Sequence, residues 1–183
     1  MRKVFGLLGA FALLVSFGVS VAGPAGAAGP LPPTCKTFTG TETWAPALPK
    51  LGVNTKVNST VKLSAALGGC SGVAGITSGT SSSTSKITAQ NCTTTVAAAG
   101  KGAKSTGVVK WNNGKTSTSA DVLTLKSKVG VSPATFELVA KYTAGIGVGH
   151  TTTTTISVVL NKGACISASL SKATFHATKS VTK

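Results

Sequence analysis

Lys56-Val-Asn-Ser-Thr-Val-Lys-Leu-Ser-Ala-Ala-Leu67 sorts its side chains without a break. Val57, Ser59, Val61, Leu63, Ala65 and Leu67 fall on one side, Lys56, Asn58, Thr60, Lys62, Ser64 and Ala66 on the other. Successive side chains of an extended chain point to opposite faces, so this period of two predicts a half-buried strand. Ser and Thr supply 48 of the 183 residues and Gly another 22, a composition shared by disordered stalks and by β proteins with hydroxylated outer faces. A disordered stalk has no reason to alternate. Cys35 to Trp44 repeats the pattern, with Thr37, Thr39, Thr41 and Thr43 opposite Phe38 and Trp44, which read as core contributors.

Working outward, Ser105 to Lys126 holds two β-prone runs around Trp111-Asn-Asn-Gly-Lys115. A three-residue connection, Asn112 to Gly114, pairs Trp111 with Lys115 and puts Val109, Trp111, Leu123 and Leu125 on one face. Loops of two or four residues put the leucines on the face opposite Trp111, because a slip of one residue inverts every side chain. The apolar pattern therefore selects the three-residue loop, with Gly114 in the left-handed position such loops need. The same parity turns Asp121 inward near Ser105, where it must lie at a sheet margin or find a donor.

Further strands are expected at about Val73 to Thr77, Lys86 to Thr94, Thr135 to Thr143, Thr151 to Leu160, Ala164 to Leu170 and Ala173 to Thr178, with Gly79 to Ser83 and Gly100 to Gly102 as punctuation. No window reads as an amphipathic helix. Eight or nine short strands predict an all-β, single-domain antiparallel β-sandwich or small β-barrel.

The chain opens with Arg2 and Lys3, an apolar run to about Val21, and the small residues Ser20-Val21-Ala22 and Gly26-Ala27-Ala28. That order predicts a cleaved signal peptide over 1–28. An uncleaved membrane anchor is disfavoured by the glycines within the run, and a lipid-modified cysteine by Pro32-Pro33-Thr34 before Cys35. Residues 29–34 form an extended lead-in, since proline restricts itself and its predecessor. Residues 35–183 form one domain.

Beyond the leader stand sixteen Lys, no Arg and three acids, Glu42, Asp121 and Glu137, for a formal charge of +13. Such a surface attracts anionic polymers and membranes without selecting among them. Sequence-specific nucleic-acid binding is not expected, because bidentate reading of bases relies on the guanidinium fork. The lysines also fit a merely solvated face.

Cys35, Cys70, Cys92 and Cys165 are even in number and lack the close spacing of zinc or redox motifs. Two disulfides are expected, each contributing roughly 3 to 5 kcal/mol. Three pairings are open; nearness in sequence favours Cys70 with Cys92, leaving Cys35 with Cys165. The leader, the cysteines in Gly69-Cys70-Ser71-Gly72 and Asn91-Cys92-Thr93, and the Trp111-Asn-Asn-Gly-Lys-Thr-Ser-Thr118 hairpin together resemble a group of small secreted actinobacterial β-rich proteins of unassigned function. The resemblance covers Cys70 to Thr118. It implies a secreted, extracellular or cell-envelope setting and carries over no catalytic residue.

Chemistry-bearing motifs fare poorly. Gly114-Lys115-Thr116 lacks the glycine a phosphate loop requires, since Val109 stands there. Ser-x-x-Lys, first met at Ser59 and Lys62, recurs as often as a chain rich in both residues yields by accident. A hydrolase needs His150 or His176 together with Asp121 and a hydroxyl, and Gly75-Ile-Thr-Ser-Gly79 has Thr77 where a nucleophile elbow has serine. Gly145-Ile-Gly-Val-Gly149 reads as a strand in which the missing side chains admit another backbone or a barrel corner. The threonine rows at 37–43 and 151–155 suit outward pleats better than an ice- or glycan-binding array. Asn58 and Asn91 sit in glycosylation-type triplets. No catalytic, cofactor or metal residues are assigned and no cofactor is expected. The sequence thus predicts a non-enzymatic, cationic, disulfide-stabilised domain that associates with anionic surfaces. The alternative is a sandwich or barrel holding a small apolar ligand, with Trp44, Trp111, Phe136 or Tyr142 as candidate walls and an apolar cavity of several hundred cubic ångströms as its signature.

Overall fold

The computed structural model describes residues 29–127, 133–162 and 164–182, and the signal peptide expected at 1–28 lies outside them. Eight antiparallel strands follow one another around a closed barrel. They are β1 (Thr37–Leu48), β2 (Val57–Gly68), β3 (Ser78–Gln90), β4 (Ala103–Trp111), β5 (Thr116–Leu125), β6 (Ala134–Gly145), β7 (Thr151–Leu160) and β8 (Leu170–Thr182), and β8 closes against β1. The all-β expectation holds, with the barrel chosen over the sandwich.

Alternation in β2 meets this architecture directly. Ser59, Val61 and Ala65 are buried and Leu63 and Leu67 half-buried, while Lys62, Ser64 and Ala66 are exposed. The β4–β5 hairpin has the register that the apolar pattern selects. Lys110 faces Thr116 and Val109 faces Ser117. The Trp111 amide donates to the Lys115 carbonyl at 2.9 Å, and Gly114 takes φ +81°.

Four local expectations fail, each for a physical reason. Lys86 to Thr94 is not one strand: β3 ends at Gln90 and a helix, α1 (Cys92–Gly100), follows. Its three threonines favour a pleat, but Asn91 caps it by accepting from the Thr94 amide while the Thr94 hydroxyl accepts from the Asn91 amide. Gly79 to Ser83 is pleated β3 rather than a loop. Val73 to Thr77 is a loop that buries Ile76 beside Trp111. Ala164 to Ser169 is a turn, with β8 starting at Leu170.

The larger apolar cluster fills one end of the barrel, and a smaller one, Cys70, Ile76 and Trp111, sits at the other. In the larger, Trp44, Leu48, Val61, Ile87, Phe136, Ile156, Val158 and Leu170 pack with Cys92 and Ala99 of α1 into a solid floor. The Cys92 amide donates to the Pro49 carbonyl and the Leu51 amide to the Cys165 carbonyl, joining the helix to two floor loops. The outer face is Thr, Ser and Lys on most strands, the reverse of the outward apolar band of a lipid-facing barrel.

Candidate functional site: the barrel lumen

Above the floor the inward positions enclose a cavity of about 490 Å³. Its walls are largely aliphatic and aromatic: Phe38, Leu63, Leu67, Leu123, Leu138, Ile156 and Phe175 come from six different strands. Phe38 and Phe175 stack obliquely, ring centroids 5.4 Å apart. Gly40 makes that stack possible, because a side chain there would run into the Phe175 ring and the Ser64 carbonyl.

Residues Leu31 to Cys35 cross the end of the lumen opposite the floor and contribute to its lining. Thr34 bridges to Ser71, and the Cys35–Cys70 disulfide fixes the segment to the β2–β3 loop. Farther out, the Gly29 amide donates to the Val148 carbonyl at 3.0 Å, and His150 Nε2 lies 2.7 Å from the Gly29 carbonyl oxygen. Gly147, at φ +86°, leaves room for Pro32. Gly145 thus ends β6 and Ile146 to Gly149 form a turn rather than a strand, and the glycines do admit a second backbone.

One wall is incomplete. β3 and β4 pair only at Gly79 with Trp111 and Thr80 with Lys110, whereas β4 and β5 share eight residue pairs. Beyond Thr80 the seam has no ladder, and Ser81, Ser105, Gly107 and Val108 line the cavity beside it.

Among the described residues three ionisable side chains line the lumen. Glu42, buried between Leu63 of β2 and Ala173 of β8, is pushed by desolvation up to about 8, so it is mostly a neutral acid at pH 7. Asp121 faces Ser105 and Ala140 in mid-strand. Burial raises it to about 6 against the opposing effect of a hydrogen bond from Ser119, leaving it mostly ionised at pH 7. Its Oδ1 is sealed from water with no hydrogen-bond partner. Burial also raises the Tyr142 phenol; a Thr152 hydrogen bond acts against the shift and the Asp121 charge adds to it. The inward direction of Asp121 was legible in the hairpin parity, but it occupies the lumen rather than a sheet margin.

No protein-family profile, curated protein or solved structure matches the chain.

All four expected cysteines are bridged, with a different pairing from the one favoured by nearness in sequence. Cys35 joins Cys70 at the mouth, and Cys92 joins Cys165 at the floor. The long β3 separates Cys70 from Cys92 by the height of the barrel, so neighbours in sequence lie at opposite ends. Of the four candidate wall aromatics, Trp111 and Tyr142 line the lumen while Trp44 and Phe136 belong to the floor. Trp111 is fixed by donating from Nε1 to Ser117 Oγ at 2.8 Å, and Ser117 donates onward to the Ile146 carbonyl.

Neither histidine lines the lumen: His150 meets the Gly29 carbonyl, and His176 is exposed on β8 opposite Thr39 and Ser157. Asp121's hydroxyl partner is Ser119. The two glycosylation-type asparagines serve the fold, Asn91 as the buried cap and Asn58 by accepting from the Ala89 amide. Sequence reasoning missed Glu42 and Phe175 as lumen residues. For Glu42 the signal was present, since it shares the parity of Phe38 and Trp44.

Proposed function

We propose that this barrel binds a small, predominantly apolar molecule in its lumen. One observation carries the proposal: an apolar-walled cavity of about 490 Å³ lies above a solid floor, within the roughly 300 to 1,000 Å³ typical of sites for small ligands. A barrel stabilised by packing alone has no use for a hollow half, since every missing contact is lost stability. The two disulfides fit an oxidising extracellular or periplasmic setting, and export through the leader completes the picture.

The test is titration with N-phenyl-1-naphthylamine, an uncharged fluorescent probe. Saturable binding at one site is the expected result, falling at least about tenfold, a loss of about 1.4 kcal/mol, when Ala140→Phe fills the lumen. Absence of saturable binding, or binding indifferent to that substitution in a folded variant, overturns the proposal.

A second reading concerns the outside. The thirteen lysines with described side chains are exposed, and they are spread over β2, β3, β4, β6, β8 and the connecting loops rather than gathered in one patch. That supports diffuse association with anionic envelope polymers or membrane surfaces. Retention on such a polymer at low salt should weaken as added salt shortens the reach of exposed charge.

A further inference from the structure

The charged groups of this protein are divided between its two surfaces. The thirteen lysines whose side chains the structure describes all point to solvent. Of the three acids beyond the leader, Glu137 pairs with Lys126 outside at 2.9 Å, while Glu42 and Asp121 face the lumen. Among the described residues no lysine or histidine lines the cavity. A chain so poor in acids that places two of its three where solvation is worst accepts a cost on folding, because an ionised carboxylate removed from water must be compensated. The compensation at Asp121 is incomplete: Ser119 supplies one hydrogen bond, and Oδ1 has none. Gly107 adds a local fitting, because a side chain there would collide with Asp121 Oδ2 and Ser119 Oγ. The site is therefore shaped around a carboxylate whose one side-chain donor is Ser119.

We infer that the ligand of this lumen is a lipophilic amine, held by its ammonium group against Asp121 with its apolar portion between Phe38, Leu63, Leu138 and Phe175. The inference rests on the lumen being a binding site, as proposed above. It follows from charge complementarity: an ammonium in the lumen donates to the Asp121 carboxylate and neutralises its charge, and such charge-assisted hydrogen bonds are about twice as strong as neutral ones. A fatty acid of equal length would bring a second negative charge beside Asp121 and is disfavoured. The outer lysines do not reverse the preference, since at about 0.1 M salt exposed charge is screened beyond roughly 10 Å.

The groups facing Asp121 are Ser105, Ser119 and Tyr142, with Glu42 lining the same cavity from β1. Tyr142 is neutral throughout the working range and Glu42 carries little charge below pH 7. A decline in amine affinity as pH falls from 7 to 5 thus reports protonation of Asp121.

The experiment is calorimetric titration of the intact protein with n-decylamine, n-decanol and decanoic acid at pH 7, where the amine is an ammonium. Decylamine is expected to bind at least about tenfold tighter than decanol, and decanoic acid more weakly than either. Asp121→Asn, which keeps the shape and removes the charge, should abolish the difference between amine and alcohol while leaving decanol binding in place. Decanol binding with no preference for the amine, or a preference that survives Asp121→Asn, overturns the inference and leaves the apolar site standing. Failure of all three to bind overturns both.

Discussion

The Asp121 carboxylate occupies the space that the missing side chain of Gly107 leaves on the neighbouring strand. Gly107 has no left-handed backbone requirement, so its role is steric. Gly107→Ala should cost about 1 to 3 kcal/mol, the usual range for an overfilled interior position. Urea titration measures it. The penalty should shrink by at least about 0.5 kcal/mol in an Asp121→Ala background, because residues in contact fail to add. An undiminished penalty would mean that the Cβ meets something other than the carboxylate.

Burial of Glu42 should make the protein less stable in mild alkali than in mild acid. A carboxyl raised by burial keeps its proton in the folded state after the unfolded chain has lost it, so stability falls as pH rises between the two values. For Glu42 that window runs from 4.5 to about 8, and for Asp121 from 3.8 to about 6. Each unit of pKa difference corresponds to about 1.4 kcal/mol, so the loss across the window is on the order of several kcal/mol. Glu42→Gln should flatten most of the decline above pH 6 and stabilise the protein at pH 8.5, by denaturant titration at each pH. A wild-type profile that rises from pH 5 to 8 would contradict the buried, neutral Glu42.

How far the fold was legible depended on what each strand faces. β2 and the β4–β5 hairpin turn aliphatic or aromatic side chains inward, and their alternation alone set strand, register and the inward turn of Asp121. β3 turns Ser81 toward a hollow lumen beside the unpaired seam. A hydroxyl is tolerated there, so Gly79 to Ser83 shows no greasy stripe and reads as a loop. The helix escaped notice because its evidence is a cap at Asn91 rather than a periodic face. The lumen itself has no sequence signature: Leu63 and Phe38 alternate as they would in a filled core, and emptiness is a property of how eight strands close. Even Asp121, correctly turned inward, gave no hint whether a partner, a margin or a cavity awaited it.

Removing either disulfide should be costly, with different local consequences. The loops closed are 35 residues for Cys35–Cys70 and 73 for Cys92–Cys165. Chain entropy then gives about 4 kcal/mol for each at 25 °C, a little more for the longer. Replacing Cys92 and Cys165 by alanine should loosen α1 and the floor, seen as faster proteolysis within 92–102. Replacing Cys35 and Cys70 should leave the floor intact and free Leu31 to Thr34 from the lumen mouth, raising both association and dissociation rates of the naphthylamine probe in stopped-flow measurements. Equal exchange rates in the second variant would show that the lead-in does not limit access.

The β3–β4 seam should be the softest part of the barrel. Each of these strands is fully paired on its other side, β3 with β2 and β4 with β5, yet the ladder between them ends after Thr80 and Lys110. In a complete barrel strand the amides alternate between two neighbours, so about half of those between Ala103 and Val109 should lack a ladder partner here. Unbonded amides exchange with solvent at low opening cost, whereas β1, with paired neighbours on both sides, should be protected toward the global limit. Hydrogen exchange read residue by residue should therefore show protected and fast amides alternating along β4. If a ligand threads this opening, saturating decylamine should slow the fast set at Ser105 to Val109 without changing β1. Uniform protection across β4 in the free protein would mean that the seam closes in solution, and the lumen would then be reached only past Leu31 to Thr34.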